Sequence, residues 1–414
     1  MTSSPPDATD RPSAWRWWVC GVLLLATTLN YMDRIALNQL SKEIKQEFRI
    51  ANTPYGILES GFQVAFGVGA VVFGVLVDRY GVRRVYPLAV VGWSAAGFLT
   101  GYAGGYWAVF GCRMMLGVFE AGNWPCGIRT VRQVMTRDER SLGNSIFQSG
   151  TGLGAIVTPP VIALCLWWAS DPTAWRLPFR VIGLIGFGWV LLWWLTVPRR
   201  VLADEPASSS APREPFAAVF RDRRFWVLVA VIIGVNTCWH TFRVWLPLHL
   251  REDHGYTPEQ SLRFNTLYFV VADVGSWLVG FAVVGLRRAG LPLHASRMWV
   301  FACGVLFVMA SAALPVAGPG WLEPIVLVTG FGGLGLFATY FALSQEISGA
   351  NQGKITGTLG CINSLYLAGL YWVQGAFSDW AGGHVRVLGV AWVPALVALV
   401  AVLAFWPKER PQSG

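Results

Sequence analysis

Twelve apolar runs follow one another along this chain, at residues 17–40, 55–77, 85–103, 106–128, 142–167, 176–197, 225–250, 262–284, 297–317, 320–345, 354–378 and 386–406. A helix that crosses a bilayer needs about 20 apolar residues. In lipid, every backbone N–H and C=O must be satisfied within the spanning element, so long apolar runs leave the helix as the only open structure. The expectation is an all-α membrane protein of twelve transmembrane helices. Composition agrees: 54% of residues are hydrophobic and 13% charged, where a soluble domain carries roughly 25% charged residues.

Residues 198–224 interrupt the series with Ala207-Ser208-Ser209-Ser210-Ala211-Pro212 set among arginines. This polar linker divides the chain into an N-terminal tail (1–16), a six-helix half (17–197), the linker (198–224), a second six-helix half (225–406) and a C-terminal tail (407–414). The first residues are polar and rich in Pro and Ser, so the first helix is expected to act as an uncleaved anchor. With both termini placed in the cytoplasm, most Lys and Arg fall in loops on that side, as the positive-inside rule requires. The net charge of +9 then reflects topology and not a nucleic-acid surface. The seven cysteines all lie in apolar runs without metal-ligand spacing, so no metal is expected.

Charges inside the apolar runs carry the functional signal. Asp33 and Arg34, in Asn30-Tyr31-Met32-Asp33-Arg34, sit within the first run. A charge at mid-bilayer costs roughly 2.5–3.5 kcal/mol or more, so such residues face a bundle interior or a water-filled cavity. The pair is either a brace between helices or a solute or proton site. Arg113 and Glu120, seven apart in the fourth run, share a helix face about 10 Å apart along the axis. A carboxyl group caught between burial and a guanidinium can be tuned to titrate near neutral pH, whereas arginine stays charged. Asp33 and Glu120 are therefore the expected proton carriers, with Arg34 and Arg113 as their partners. His240 and Arg243 share a face of the seventh run. Arg243 either grips a carboxylate by a charge-assisted fork or snorkels to the outer interface. Asp273, midway along the eighth run, is a titrating group or a structural partner. Gly330-Phe331-Gly332-Gly333-Leu334-Gly335 lies inside an apolar run with no strand before it, so close helix packing explains it better than a nucleotide loop.

The halves echo each other. Gly74-Val-Leu-Val-Asp78-Arg79-Tyr-Gly81-Val-Arg83-Arg84 ends the second run, and Gly280 to Gly290, with Arg287 and Arg288 but no acid, ends the eighth. Duplicated halves joined by a linker suit a transporter with its site near the midplane.

On that glycine–aspartate–arginine loop the chain resembles the major facilitator superfamily. On Asn30-Tyr31-Met32-Asp33-Arg34, Arg113 to Pro125 and Trp245-Leu-Pro247 it resembles the anion:cation symporter family of hexuronate and sugar-acid carriers and sialin-like proteins. The resemblance implies proton-coupled symport of a small organic anion, such as a sugar acid, by alternating access. It implies a monomeric multi-pass protein of the inner cell membrane, with protons and the organic anion as partners and the proton gradient in place of any cofactor. It implies no enzyme and no nucleic-acid partner. It makes Asp33 and Glu120 the coupling acids and Gly74, Asp78, Arg79, Gly81, Arg83 and Arg84 a gate. Tyr31, Arg34, Phe66, Gln148, Thr151, His240, Arg243 and Asn363 become the expected substrate positions. Phe66 stands where such carriers often have tyrosine, and Thr151 where they often have glutamine, which favours a smaller or less hydroxylated acid. A proton-independent facilitator or exchanger, and a membrane sensor of the same ligand, are the alternatives.

Overall fold

The computed structural model describes residues 13–135, 139–169, 173–197, 220–318, 320–344 and 352–406. The expected C-terminal tail, most of the expected N-terminal tail and most of the expected linker lie outside the described residues, and α1 begins at Ser13, inside the expected tail. Contacts divide the chain into two compact units, Met1–Ile50 with Ile57–Ser209, and Ala51–Gly56 with Ser210–Gly414.

The first unit is built from α1 (Ser13–Gln39), the short α2 (Ser41–Phe48), α3 (Asn52–Tyr80) from Ile57 onward, α4 (Val82–Thr100), α5 (Tyr106–Glu120), α6 (Asn123–Val134), α7 (Arg140–Trp168) and α8 (Arg176–Thr196). The second unit holds the first turn of α3 together with α9 (Arg223–Leu248), α10 (Pro258–Arg288), α11 (Leu293–Met309), α12 (Leu322–Ser344), α13 (Gln352–Ala381), the short α14 (Val385–Gly389) and α15 (Val393–Phe405). A helix occupies each of the twelve apolar runs. Among the described residues, seven helices are long and apolar enough to cross a membrane, and Leu322–Phe337 is a shorter apolar helix.

Local chemistry sets the boundaries. Gly81, at φ 74°, turns the chain between α3 and α4 in a backbone region that favours glycine. Thr257 and Gln260 form a reciprocal capping box that starts α10, with Pro258 in its first turn. Pro247 lacks the N–H that Arg243 C=O would otherwise accept, and directly after it α9 gives way to a π-helical turn, His249–Asp253. Two runs that read as continuous in the sequence are broken. The fourth splits at Ala121–Gly122 into α5 and α6, and the last into α14 and α15.

Close approaches position the charged residues. A Cβ on Gly117 would collide with the Phe62 carbonyl, so α5 lies hard against α3. Polar ties fix the rest of the first unit. Tyr86 Oη donates to Asn123 Oδ1 at 2.7 Å, Asn123 Nδ2 donates to Thr27 Oγ1 at 3.2 Å, and Trp189 Nε1 donates to Val22 O at 2.8 Å. These link α1, α4, α6 and α8. In the second unit, the glycines of α12 serve packing: a Cβ on Gly332 would come within 2.6 Å of Gly304 O on α11.

Candidate functional site

In the first unit the expected cluster resolves into two ion pairs stacked along the helices. Arg34 donates from Nε (3.0 Å) and Nη2 (2.7 Å) to the same oxygen, Glu120 Oε2. The Glu120 side chain is fully buried and that of Arg34 is 8% exposed. Tyr31, Phe62 and Phe66 surround the guanidinium, each ring 5.0 Å from Arg34 Cζ, a geometry in which the ring quadrupoles stabilise the cation. Tyr31 and Phe66 are only partly buried.

Arg113 is paired with Glu59, not with Glu120 or Asp33. Its Nη2 lies 2.8 Å from Glu59 Oε1, and Asn38 Nδ2 donates to the same oxygen at 2.9 Å. The Phe62 ring lies 4.5 Å from Arg113 Cζ, so one aromatic ring stands between the two arginines. One turn of α1 separates Arg34 from Asn38, and two turns of α5 separate Arg113 from Glu120.

Asp33 stands apart. Consecutive helical residues point about 100° from each other. Asp33 therefore faces α4, where a Cβ on Gly97 would collide with its Oδ1. It is 2% exposed, and its Oδ1 has no hydrogen-bond partner among the described residues.

Sequence reading passed over Glu59. It lies only four residues into its apolar run, where a charge passes for the edge of the segment. Its signal was available all the same: Glu59 is the one charged residue between Asn52 and Val77.

In the second unit Arg243, 1% exposed, is held across α9 and α13. Its Nη2 donates to Tyr371 Oη at 3.0 Å and lies 3.3 Å from His240 Nδ1. His240 Nδ1 is 2.6 Å from the same hydroxyl. One turn earlier, Thr237 Oγ1 meets Tyr366 Oη at 2.6 Å. One turn later, Gln374 joins Trp245 Nε1 (2.9 Å) to Thr241 Oγ1 (2.7 Å). This polar seam was not foreseen, because tyrosines in an apolar run read as ordinary packing residues.

The other expected positions lie on α7, α10 and α13 and around the turn between α3 and α4. Gln148 is exposed and Thr151 partly buried on α7. Asn363 Oδ1 is buried on α13 with no hydrogen-bond partner among the described residues. Asp273 is partly buried on α10. In the gate loop, Arg83 Nη1 donates to Val197 O at 2.9 Å. Arg79 is exposed with its guanidinium 5.4 Å from the Tyr80 ring, Arg84 is exposed, and Gly74 has open space at its Cβ position. The side chain of Asp78 lies outside the described residues.

The second unit has a further polar cluster at the end of α9. Asp253 accepts from His249 at 2.7 Å, and from the His384 backbone N–H at 2.8 Å and ring at 3.0 Å. His384 Nε2 is 3.2 Å from Asn52 Oδ1. Asp379 accepts from the backbone N–H groups of Asn52 (3.0 Å) and Thr53 (2.7 Å), capping the first turn of α3. Burial and the neighbouring His249 hold His254 below the usual histidine range.

Long apolar helices with ion pairs buried among them have the character of a multi-pass membrane protein. The chain belongs to the Major Facilitator Superfamily, which it matches over residues 23–370. It is 24% identical over 386 residues to the hexuronate transporter of Escherichia coli K12, covering 89% of this chain and 88% of that one. It is 27% identical over 422 residues to the D-galactonate transporter of Escherichia coli O6:H1, covering 96% and 91%. Among solved structures, the fold is similar to a bacterial homologue of the human lysosomal transporter Spinster in an inward-facing, unoccupied conformation. That similarity has a TM-score of 0.78 at 18% identity, covering 96% of this chain and 100% of that one. These relatives are transporters and not enzymes.

Proposed function

We propose that this chain is a proton-coupled symporter of a small organic anion: a sugar acid of the hexuronate or hexonate kind, or a smaller carboxylate. In this reading it has twelve spans, cytoplasmic termini and alternating access in the inner cell membrane. The observation that carries the reading is the buried Arg34–Glu120 pair, with Arg34 ringed by Tyr31, Phe62 and Phe66.

The coupling follows from electrostatics. Protonating Glu120 removes the charge that compensates Arg34, and an uncompensated buried charge costs roughly 3–5 kcal/mol. An organic carboxylate arriving at Arg34 replaces the lost charge. Proton and anion therefore favour each other's binding, and each alone is disfavoured. Because Tyr31 and Phe66 are only partly buried, the approach to Arg34 runs past them. Phe66 in place of a hydroxylated ring suits an acid with fewer hydroxyl groups. Arg243, with Tyr371 and His240, is the second anion anchor. Asp33 is a second proton site, reached separately because it faces α4.

A facilitator or exchanger is the competing reading, and the closeness of the Arg34–Glu120 contact favours it: a permanently ionised pair would simply brace the unit. Uptake of labelled hexuronates, hexonates and short dicarboxylates into proteoliposomes separates the two. An outside-acid gradient should drive accumulation by the wild type. Glu120→Gln should abolish accumulation yet keep counter-exchange of internal for external anion. Wild-type flux indifferent to pH and voltage would establish the facilitator, and saturable binding without flux would establish a sensor.

A further inference from the structure

A groove of about 610 Å³ lies among α10, α11 and α12, lined by residues that include Leu278, Ala282, Gly285, Leu286, Trp299 and Cys303, with no charged side chain in its lining. It opens outward: Trp299 is 62% and Leu278 48% exposed. Along α10 the lining runs from Gly275 to Leu286, about 16 Å of helix. That is about half of the roughly 30 Å hydrocarbon core, the depth of one leaflet.

One end of the groove is basic. Leu286 and Leu291 line it there, and between them α10 closes with the exposed Arg287 and Arg288. His294 and Arg297 follow in the first two turns of α11. No acidic residue lies between Asp273 and Glu323. The corresponding loop of the first half carries Asp78 beside its arginines, so this copy keeps the cations of the repeat without its carboxylate.

An apolar trough one leaflet deep, with cations at one end only, has the form of a single phospholipid. We infer that the α10–α11–α12 groove is a binding site for an anionic phospholipid. The acyl chain lies along Leu278, Ala282 and Trp299, and the phosphate lies against Arg287 and Arg288. Basic pockets between membrane helices select anionic headgroups in this way. Gly285 keeps the trough open: its Cβ position meets no protein atom within 4 Å, so a side chain there would occupy the space of the lipid chain.

The test uses the full chain in nanodiscs of equimolar phosphatidylglycerol and phosphatidylcholine, moved into detergent and weighed by native mass spectrometry. The wild type should retain one phosphatidylglycerol, preferred over phosphatidylcholine at least about five-fold. Millimolar inorganic phosphate should not displace it. In Arg287→Gln/Arg288→Gln the preference should fall to near unity, and Gly285→Leu should lose both lipids while melting at the wild-type temperature. Arg386→Gln, which removes a cation elsewhere in the second unit, should keep the wild-type preference. Equal retention of the two lipids by the wild type would overturn the site, as would undiminished retention by Gly285→Leu or an equal loss of preference in Arg386→Gln.

Discussion

The two units treat a buried guanidinium differently. In the first, Arg34 and Arg113 each lie against a glutamate, Glu120 and Glu59. In the second, Arg243 donates to the Tyr371 hydroxyl and lies 3.3 Å from the His240 ring nitrogen. A carboxylate partner gives its arginine up only when it is protonated or when another anion takes its place. A hydroxyl gives way by rotating. In the proposed symport the first arrangement would serve as the proton-controlled contact, and the second as a contact that forms and breaks with the solute alone.

The largest effect should come from leaving a carboxylate without its arginine. Arg113→Met takes the cation away from Glu59, whose side chain has no exposure. It should destabilise the first unit by roughly 3–5 kcal/mol, seen as a large drop in melting temperature of the purified protein. Adding Glu59→Gln should recover a large share of that loss, because the neutral amide can still accept from Asn38. A double variant as unstable as Arg113→Met would mean that the pair is not the source of the stability, and the contrast between the units would lose its first half.

Next in size are changes to transport through Arg243. Arg243→Lys keeps the charge but loses the planar fork, and Lys does not substitute for Arg at such sites. KM for the organic anion should rise by about tenfold or more, a difference of about 1.4 kcal/mol. Tyr371→Phe removes one hydroxyl shared by Arg243 and His240. It should raise KM by a smaller factor of about five, the worth of one net hydrogen bond. The pH dependence of uptake should stay as in the wild type in both variants. A shifted pH profile in Tyr371→Phe would show that the second unit also carries the proton step, and the division of labour would fail.

What the sequence revealed follows the same physics. Asp33, Arg34, Arg113, Glu120 and Arg243 were legible because each is a charge well inside an apolar run, where little besides function or an ion pair explains it. The pairing was not legible. It depends on the 100° between Asp33 and Arg34, and on Gly97 and Gly117, which let α4 and α5 approach closely enough to select one neighbour for each charge. Glu59 was hidden by its place near a segment end, and Tyr371 by its ordinary residue type. The breaks at Gly122 and between α14 and α15 were hidden for a related reason: hydropathy continues across them while the backbone does not. The segmentation of the chain into helices, in contrast, rests on long apolar runs and needed no tertiary information.

The smallest expected effect concerns the few residues that α3 contributes to the second unit. Asp379 accepts from two backbone N–H groups, those of Asn52 and Thr53, and from the Thr53 hydroxyl. Its charge lies at the positive end of the helix, where a carboxylate is stabilised. In Asp379→Asn one oxygen becomes an amide nitrogen that faces a backbone donor, and the charge is gone. The cost of losing such a cap is about 1 kcal/mol, too little to unfold the unit but enough to loosen one turn. Amide hydrogen exchange should quicken about five-fold at Asn52 and Thr53. The middle of α3, which belongs to the first unit, should exchange as before. Thr53→Val, which removes only the hydroxyl, should give a smaller change at the same amides. If Asp379→Asn leaves these amides as protected as in the wild type, the turn is held by Ser378 and His384, which bond the Asn52 side chain. If exchange quickens along the whole of α3, the helix opens as one piece, and its first turn is not an independent part of the second unit.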